Sequence, residues 1–143
     1  MKNTYTTGEM SQKTGVSIPT LRYYEDIGLL DPVTRAANGH RRYNDKDLLR
    51  IEFLKRLRAT GMSIAEMQYY VNLFRAGDDT LTERVDMLAA HKQRVQEQIN
   101  ALLQTRDFLD MKIERYHRQL AELAASKPQN TDKTHIPQKE YQP

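Results

Sequence analysis

The chain of 143 residues contains no cysteine. It therefore cannot form a disulfide framework, a thiolate metal site or a thiol nucleophile. It also has no long apolar run, since 38% of its residues are hydrophobic, 29% are charged and the mean hydropathy is −0.78. No segment reaches the length needed to cross a bilayer, and the N-terminus MKNTYTTGEM lacks the apolar stretch of a signal peptide. We expect a cytoplasmic protein without a membrane partner.

Catalytic and metal-binding motifs are scarce as well. No nucleophile, paired-carboxylate or phosphate-loop motif stands out, so we do not expect an enzyme. The four histidines, at positions 40, 91, 117 and 135, lack paired ligand spacing. The sequence predicts no metal site and no cofactor.

The charge is unevenly distributed along the chain. The net charge is +3, of which residues 1–60 carry +4 and residues 61–143 carry −1. An ordinary surface can produce such a difference. The alternative is a binding surface for a polyanion. Lys and Arg side chains that neutralise phosphates release counterions and so supply affinity for nucleic acid.

Two short helices are predicted at the start of the chain. Thr6 and Glu9 fit a capping box, and the helix that they open should end by Gly15. Ser17 is a suitable N-cap for a second helix that runs to about Asp26. Two short helices joined by about three residues match a helix-turn-helix, a pattern that is weak alone because many helical hairpins look alike.

A small β-ribbon, or wing, is predicted next. Asn38-Gly39 is the preferred centre of a two-residue hairpin, so residues 33–35 and 40–43 can pair on either side of it. Asn44 or Asp45 then caps a third helix, and a capping box from Ser63 to Glu66 opens a fourth. Residues 1–77 should form a compact helical unit with one wing.

A long helix should follow a third capping box at Thr80 and Glu83. Apolar residues recur at alternating spacings of three and four, which is typical of a coiled-coil seam. Because so narrow a stripe needs a partner, we expect a homodimer. Lys92 and Arg106 fill two seam positions, where they either fix the register or extend to solvent. The predicted dimerisation residues are Val85, Leu88, Val95, Ile99, Leu102, Leu109, Ile113 and Tyr116.

The tyrosines and arginines around the wing allow two interpretations. Tyrosines often cover the edge of a core, and an Arg pair in a turn is often simply solvated. Neighbouring helix positions point about 100° apart, however, so Tyr23 and Tyr24 cannot both face the core fully. In a DNA-binding helix-turn-helix, the N-terminal residues of the second helix enter the major groove, and a basic ribbon can follow the backbone.

Three segments carry a resemblance to a known family. TTGEMSQKTGVSIPTLRYYEDIGLLDP, NGHRRY and DLLRIEFLKRLRATGMSIAEM are similar to the MerR family of bacterial transcription regulators, from about Tyr5 to Phe74 and, through the long helix, to about Tyr116. The resemblance implies an all-α fold with a small β wing. A winged helix-turn-helix DNA-binding domain (1–77) would precede a long antiparallel coiled-coil dimerisation helix (78–124). The segment after it is polar, contains Pro and lacks periodicity, which predicts a disordered tail (125–143).

The resemblance also implies a function. A homodimer would bind double-stranded promoter DNA at a pseudo-palindromic site and would bend and untwist the spacer between promoter elements for RNA polymerase. His40 replaces the commoner tyrosine of the family. The DNA-binding residues implied are Thr7, Ser17, Thr20, Arg22, Tyr23, Tyr24, Gly39, His40, Arg41, Arg42, Tyr43 and Arg58.

The sequence allows several interpretations of the effector. IEFLKRLRATGM resembles the aldehyde- and electrophile-responsive branch, but that branch's regulatory cysteine would fall at Arg56. A small organic effector, a constitutive DNA binder and plain packing of aromatics all stay open, as does a coiled-coil adaptor that binds protein through its N-terminal unit. The candidate effector residues are Tyr69, Tyr70, Phe74, Phe108 and Met111.

Overall fold

The computed structural model describes residues 4–127, which form two compact units, one up to Glu97 and the other from Gln98. The predicted mostly helical fold with a small β wing is confirmed. Most of the predicted tail lies outside the described residues. The elements are β1 (Thr4–Tyr5), α1 (Thr7–Thr14), α2 (Ile18–Asp26), β2 (Thr34–Arg35), β3 (Arg41–Asn44), α3 (Asp45–Ala59), α4 (Ile64–Ala76) and α5 (Leu81–Ala125).

Local hydrogen bonds confirm the predicted starts of the early helices. The Thr6 hydroxyl accepts the Glu9 amide at 3.1 Å, and a Glu9 carboxylate oxygen accepts the Thr6 amide at 3.0 Å. Ser63 and Glu66 form the same reciprocal pair at the start of α4, and Asn44 caps α3. Hydrogen bonds from the cap residues lower the pKa of both glutamates, because these bonds favour the charged carboxylate.

The turn between α1 and α2 depends on Gly15. Its backbone has φ 72°, a left-handed conformation that a side chain disfavours. A Cβ atom there would also lie 3.3 Å from Lys55 Nζ, which donates to the Thr14 carbonyl. Gly15 therefore lets α1 end against α3 at close range.

The wing belongs to a three-stranded antiparallel sheet of order β1-β3-β2. The sequence predicted two of these strands but missed β1, where Thr4 pairs with Asn44 and Tyr5 with Tyr43. A two-residue strand has too few positions to show an alternating pattern. Its pairing ties the start of the chain to the wing.

The predicted two-residue hairpin at Asn38-Gly39 is wrong. The Gly39 amide donates to the Ala36 carbonyl and the Ala36 amide donates to the His40 carbonyl, both at 2.8 Å. Residues 37–39 thus form a three-residue loop in which Gly39, with φ 83°, takes the left-handed position after the turn. The loop still leaves Arg35 opposite Arg41 across the ribbon.

The core of the first unit joins all of its helices to the central strand. The buried side chains are those of Met10, Val16, Leu21, Tyr24, Leu29, Leu30, Val33, Tyr43, Ile51, Leu54, Leu57, Met62, Met67 and Val71. Burial of this apolar surface is the main favourable contribution to folding. The core fixes α2 and β3, the elements that flank the candidate site, in one unit.

The helix α5 starts differently from the prediction. Thr80 ends a short 3₁₀ turn, and its hydroxyl donates to the carbonyls of Leu73 and Gly77 rather than capping α5. Glu83 instead accepts a hydrogen bond from the Tyr69 hydroxyl at 3.0 Å. Within residues 4–127, no helix is both long and apolar enough to cross a membrane.

Candidate DNA-binding surface

A cleft of about 380 Å³ opens between the start of α1, the helix α2 and the wing. The turn that begins α1 forms one wall, and Arg22 projects from α2. The remaining lining residues belong to the strands and the loop of the wing. The lining residues are Thr6, Thr7, Gly8, Arg22, Arg35, Gly39, His40, Arg41 and Arg42.

The electrostatics of this cleft favour an anion. Four arginines and no carboxylate are among the lining residues. The N-terminus of α1 also faces it, where unpaired amide groups and the helix dipole attract negative charge. Arg35, which the sequence reasoning missed as a candidate, donates from Nη1 to the Gly39 carbonyl at 2.9 Å and so supports the wing loop.

The start of α2 presents a short polar surface. The Ser17 hydroxyl donates to the Thr20 hydroxyl at 2.8 Å and accepts the Thr20 amide, so Ser17 is both N-cap and surface group. Arg22 is exposed one turn further along. These predicted contacts therefore lie along one accessible stretch of the helix.

The three predicted tyrosine contacts differ in their burial. Tyr23 is 48% exposed, whereas Tyr24 is 5% exposed and belongs to the core. Tyr43 is fully buried, and its hydroxyl makes no hydrogen bond of normal geometry among the described residues, its polar neighbour being the Thr7 side chain. Burial raises the pKa of the Tyr43 hydroxyl, which therefore stays protonated at neutral pH.

The prediction of Tyr43 as a DNA contact is therefore wrong, because strand alternation turns it towards the core. A phosphate contact by Tyr24 is limited to the small exposed part of its side chain.

Arg41 differs from its neighbour Arg42. Arg41 Nε donates to Glu25 Oε2 at 2.7 Å, and the two side chains are 22% and 17% exposed. The hydrogen bond that Arg41 donates to Glu25 raises the pKa of Arg41. Arg58, at the end of α3, is exposed and donates to the Met62 carbonyl over 3.4 Å.

The five candidate effector residues do not share one described cavity. Tyr70 and Phe74 line a cavity of about 520 Å³ with Phe53, whose ring lies 5.6 Å from that of Tyr70. Tyr69 is exposed and bound to Glu83. Phe108 and Met111 belong to the second unit, and both are exposed.

Most of the predicted coiled-coil seam is uncovered in the single chain. Leu88 is an exception, since it packs against the core of its own unit, and Val95 is half-buried. The exposed seam residues are Val85, Ile99, Leu102, Leu109, Ile113 and Tyr116.

His91 is a buried residue that the sequence reasoning did not single out. It is 5% exposed on α5, with Nε2 2.7 Å from the Thr60 hydroxyl and Nδ1 3.3 Å from Arg94 Nη2. A guanidinium can only donate, so Nδ1 accepts and the imidazole proton lies on Nε2. The Thr60 hydroxyl in turn donates to the Arg56 carbonyl at 2.7 Å. No cluster of three or more metal-ligating side chains occurs within residues 4–127.

A wing, a short helix pair and a basic cleft between them define a winged helix-turn-helix DNA-binding protein. The family model for MerR HTH family regulatory proteins matches residues 5–72, and the model for MerR, DNA binding matches residues 48–112.

The solved structure of HiNmlR, a MerR family regulator lacking the sensor domain, bound to promoter DNA, is 36% identical to this chain. It has a TM-score of 0.81 and covers 89% of this chain and 98% of its own.

Two similar proteins, from two organisms, are also HTH-type transcriptional regulators. An uncharacterised HTH-type transcriptional regulator of Haemophilus influenzae is 37% identical over 115 residues, which is 80% of this chain and 85% of that protein. The HTH-type transcriptional regulator AdhR of Bacillus subtilis is 40% identical over 87 residues, or 61% and 62% of the two chains. The chain belongs to the MerR family, and it is a DNA-binding transcriptional regulator.

Proposed function

We propose that the chain binds promoter DNA as a homodimer, with the cleft of each copy on one half of a pseudo-palindromic site. The observation that carries this proposal is the lining of the cleft, which combines the N-terminus of α1 with three arginines besides Arg41, the one paired with Glu25. Such a surface gains affinity by neutralising phosphates. The DNA-bound state of HiNmlR supports promoter DNA as the partner.

Individual side chains have distinct roles in this proposal. Ser17 and Thr20 approach base edges in the major groove, and Arg22 reaches a base or a phosphate. Tyr23 donates its hydroxyl to a phosphate. The remaining backbone contacts come from the exposed or half-buried residues Thr7, Gly39, His40, Arg42 and Arg58.

The dimer forms through α5. Its exposed apolar side chains, among them Leu102 at 70% and Leu109 at 53%, lose contact with water when a second copy covers them. Heptad spacing allows side chains of the two helices to interdigitate. An antiparallel arrangement relates two DNA-binding units by a two-fold axis, as a palindromic site requires.

The regulatory step in this proposal is a distortion of DNA. The bound dimer bends and untwists the spacer between the promoter elements, so that RNA polymerase contacts both of them. The family membership of the chain supports this step. The effector stays a prediction, and of the five candidate residues Tyr70 and Phe74 have the best support because they line one cavity.

Selection of bound sites from random double-stranded DNA by the purified protein tests the proposal. We expect enrichment of one inverted repeat, bound by two chains. Failure to enrich any sequence at low salt would contradict it, and so would an enriched site that lacks two-fold symmetry. A protein-binding adaptor, the reading that family membership does not favour, predicts no enrichment.

A further inference from the structure

The ion pair between Glu25 and Arg41 joins the last turn of α2 to the first residue of β3. The helix α2, which is the proposed recognition helix, and the wing are the two elements that must contact DNA at once in the proposed complex. A charge-assisted hydrogen bond of 2.7 Å between side chains that are less than a quarter exposed is strong and directional. It therefore restricts the angle between helix and wing.

Strand geometry separates the roles of the adjacent arginines. Side chains on a strand alternate between its two faces, so Arg41 lies on the same face as the fully buried Tyr43. Arg42 lies on the other face. Arg42 lines the cleft together with Thr6 and Thr7 at the start of α1, and its charge adds to the Thr6 hydrogen bonds in lowering the pKa of Glu9.

We infer that Glu25 and Arg41 are a positioning pair for the wing, and that Arg42, not Arg41, is the arginine of this strand that binds phosphate. This inference rests on the proposed role of the cleft. Arg41 lines the cleft, but its Nε and its charge are already matched by the Glu25 carboxylate. Glu25 thus contributes to DNA binding although it carries the charge that DNA repels.

The salt dependence of DNA binding distinguishes a positioning residue from a phosphate ligand. Each phosphate contact contributes roughly 0.9 to the slope of log K against log salt. We expect Glu25→Gln and Arg41→Gln each to weaken binding by about tenfold without changing the slope. The double variant should bind no more weakly than either single one, because the two residues act as one unit.

The matched control is Arg42→Gln, measured on the same duplex, which carries the inverted repeat enriched by the unmodified protein. This variant should lower the slope by roughly 0.9 for each of the two wings. A slope that falls equally in Arg41→Gln would overturn the inference. Tighter binding by Glu25→Gln would also overturn it, since that is the result expected when a merely repulsive charge is removed.

Exchanging the two charges is a control for the case in which the single variants lose binding because they fail to fold. Glu25→Arg combined with Arg41→Glu should restore binding to within about threefold of the unmodified protein, because the reversed pair keeps the link. A folded double exchange with a reduced slope and no recovery would contradict the positioning role. If Arg42→Gln leaves the slope unchanged, the proposed cleft itself is wrong, which is a separate result from failure of the pair.

Discussion

At the scale of single residues, burial separates the tyrosines and arginines near the cleft into proposed DNA contacts and side chains that stabilise the fold. Tyr23 and Arg22 are exposed, whereas Tyr43 is fully buried and Arg41 is paired. A resemblance in sequence carries residue identities but not the direction of each side chain. For that reason the type of residue at the site was predictable and its solvent exposure was not.

The two tyrosines Tyr43 and Tyr23 provide a matched test. Tyr43→Phe removes a buried hydroxyl that makes no hydrogen bond of normal geometry among the described residues and is only near the Thr7 side chain, so the melting temperature should stay the same or rise. Its DNA affinity should change by less than about twofold. Tyr23→Phe should instead weaken binding by about three- to tenfold, since an exposed phosphate donor is lost. Affinity by fluorescence anisotropy and melting by circular dichroism check both, and the opposite ranking would restore Tyr43 as a contact.

At the scale of elements, the helix starts were predictable because capping boxes are local. The boxes at Thr6 and Ser63 form as expected. The strand β1 and the start of α5 were not predictable, since they depend on partners far along the chain. Thr80 fits a local capping pattern, yet its hydroxyl donates a hydrogen bond to the Leu73 carbonyl in the last turn of α4.

The contact of α5 with α3 depends on His91, whose two ring nitrogens are both engaged. His91→Ala should lower the free energy of unfolding by about 2 kcal/mol, because a cavity forms and the Thr60 contact is lost. His117→Ala is the control, and since His117 is exposed its effect should stay within about 0.5 kcal/mol. Urea unfolding at one protein concentration measures both. Equal effects would show that His91 does not stabilise the contact.

At the scale of the whole molecule, the proposal that one chain is half of the functional unit is supported by family membership and by the exposed apolar residues of the predicted seam. The seam is a prediction from the heptad spacing, and most of its residues are exposed in the single chain. The packing of Leu88 into its own unit was not predictable from sequence, because the same seam position can face either a partner or the core.

A charge placed on the seam should break the dimer. Leu109→Asp puts a carboxylate where two helices meet, and burial of an unpaired charge is costly. We expect a monomer by analytical ultracentrifugation and loss of specific DNA binding. Met111→Asp, a change at an exposed position two residues away and off the seam, should remain a dimer. A dimeric Leu109→Asp variant would place the interface elsewhere.

Hydroxyl-radical footprinting of the selected site with the dimer is the most direct test of the central claim. The account predicts two protected patches related by a two-fold axis, one for each basic cleft, with hypersensitive base pairs between them where the spacer is distorted. A single protected patch, or symmetric protection with an undistorted centre, would contradict a dimer that acts by deforming its promoter.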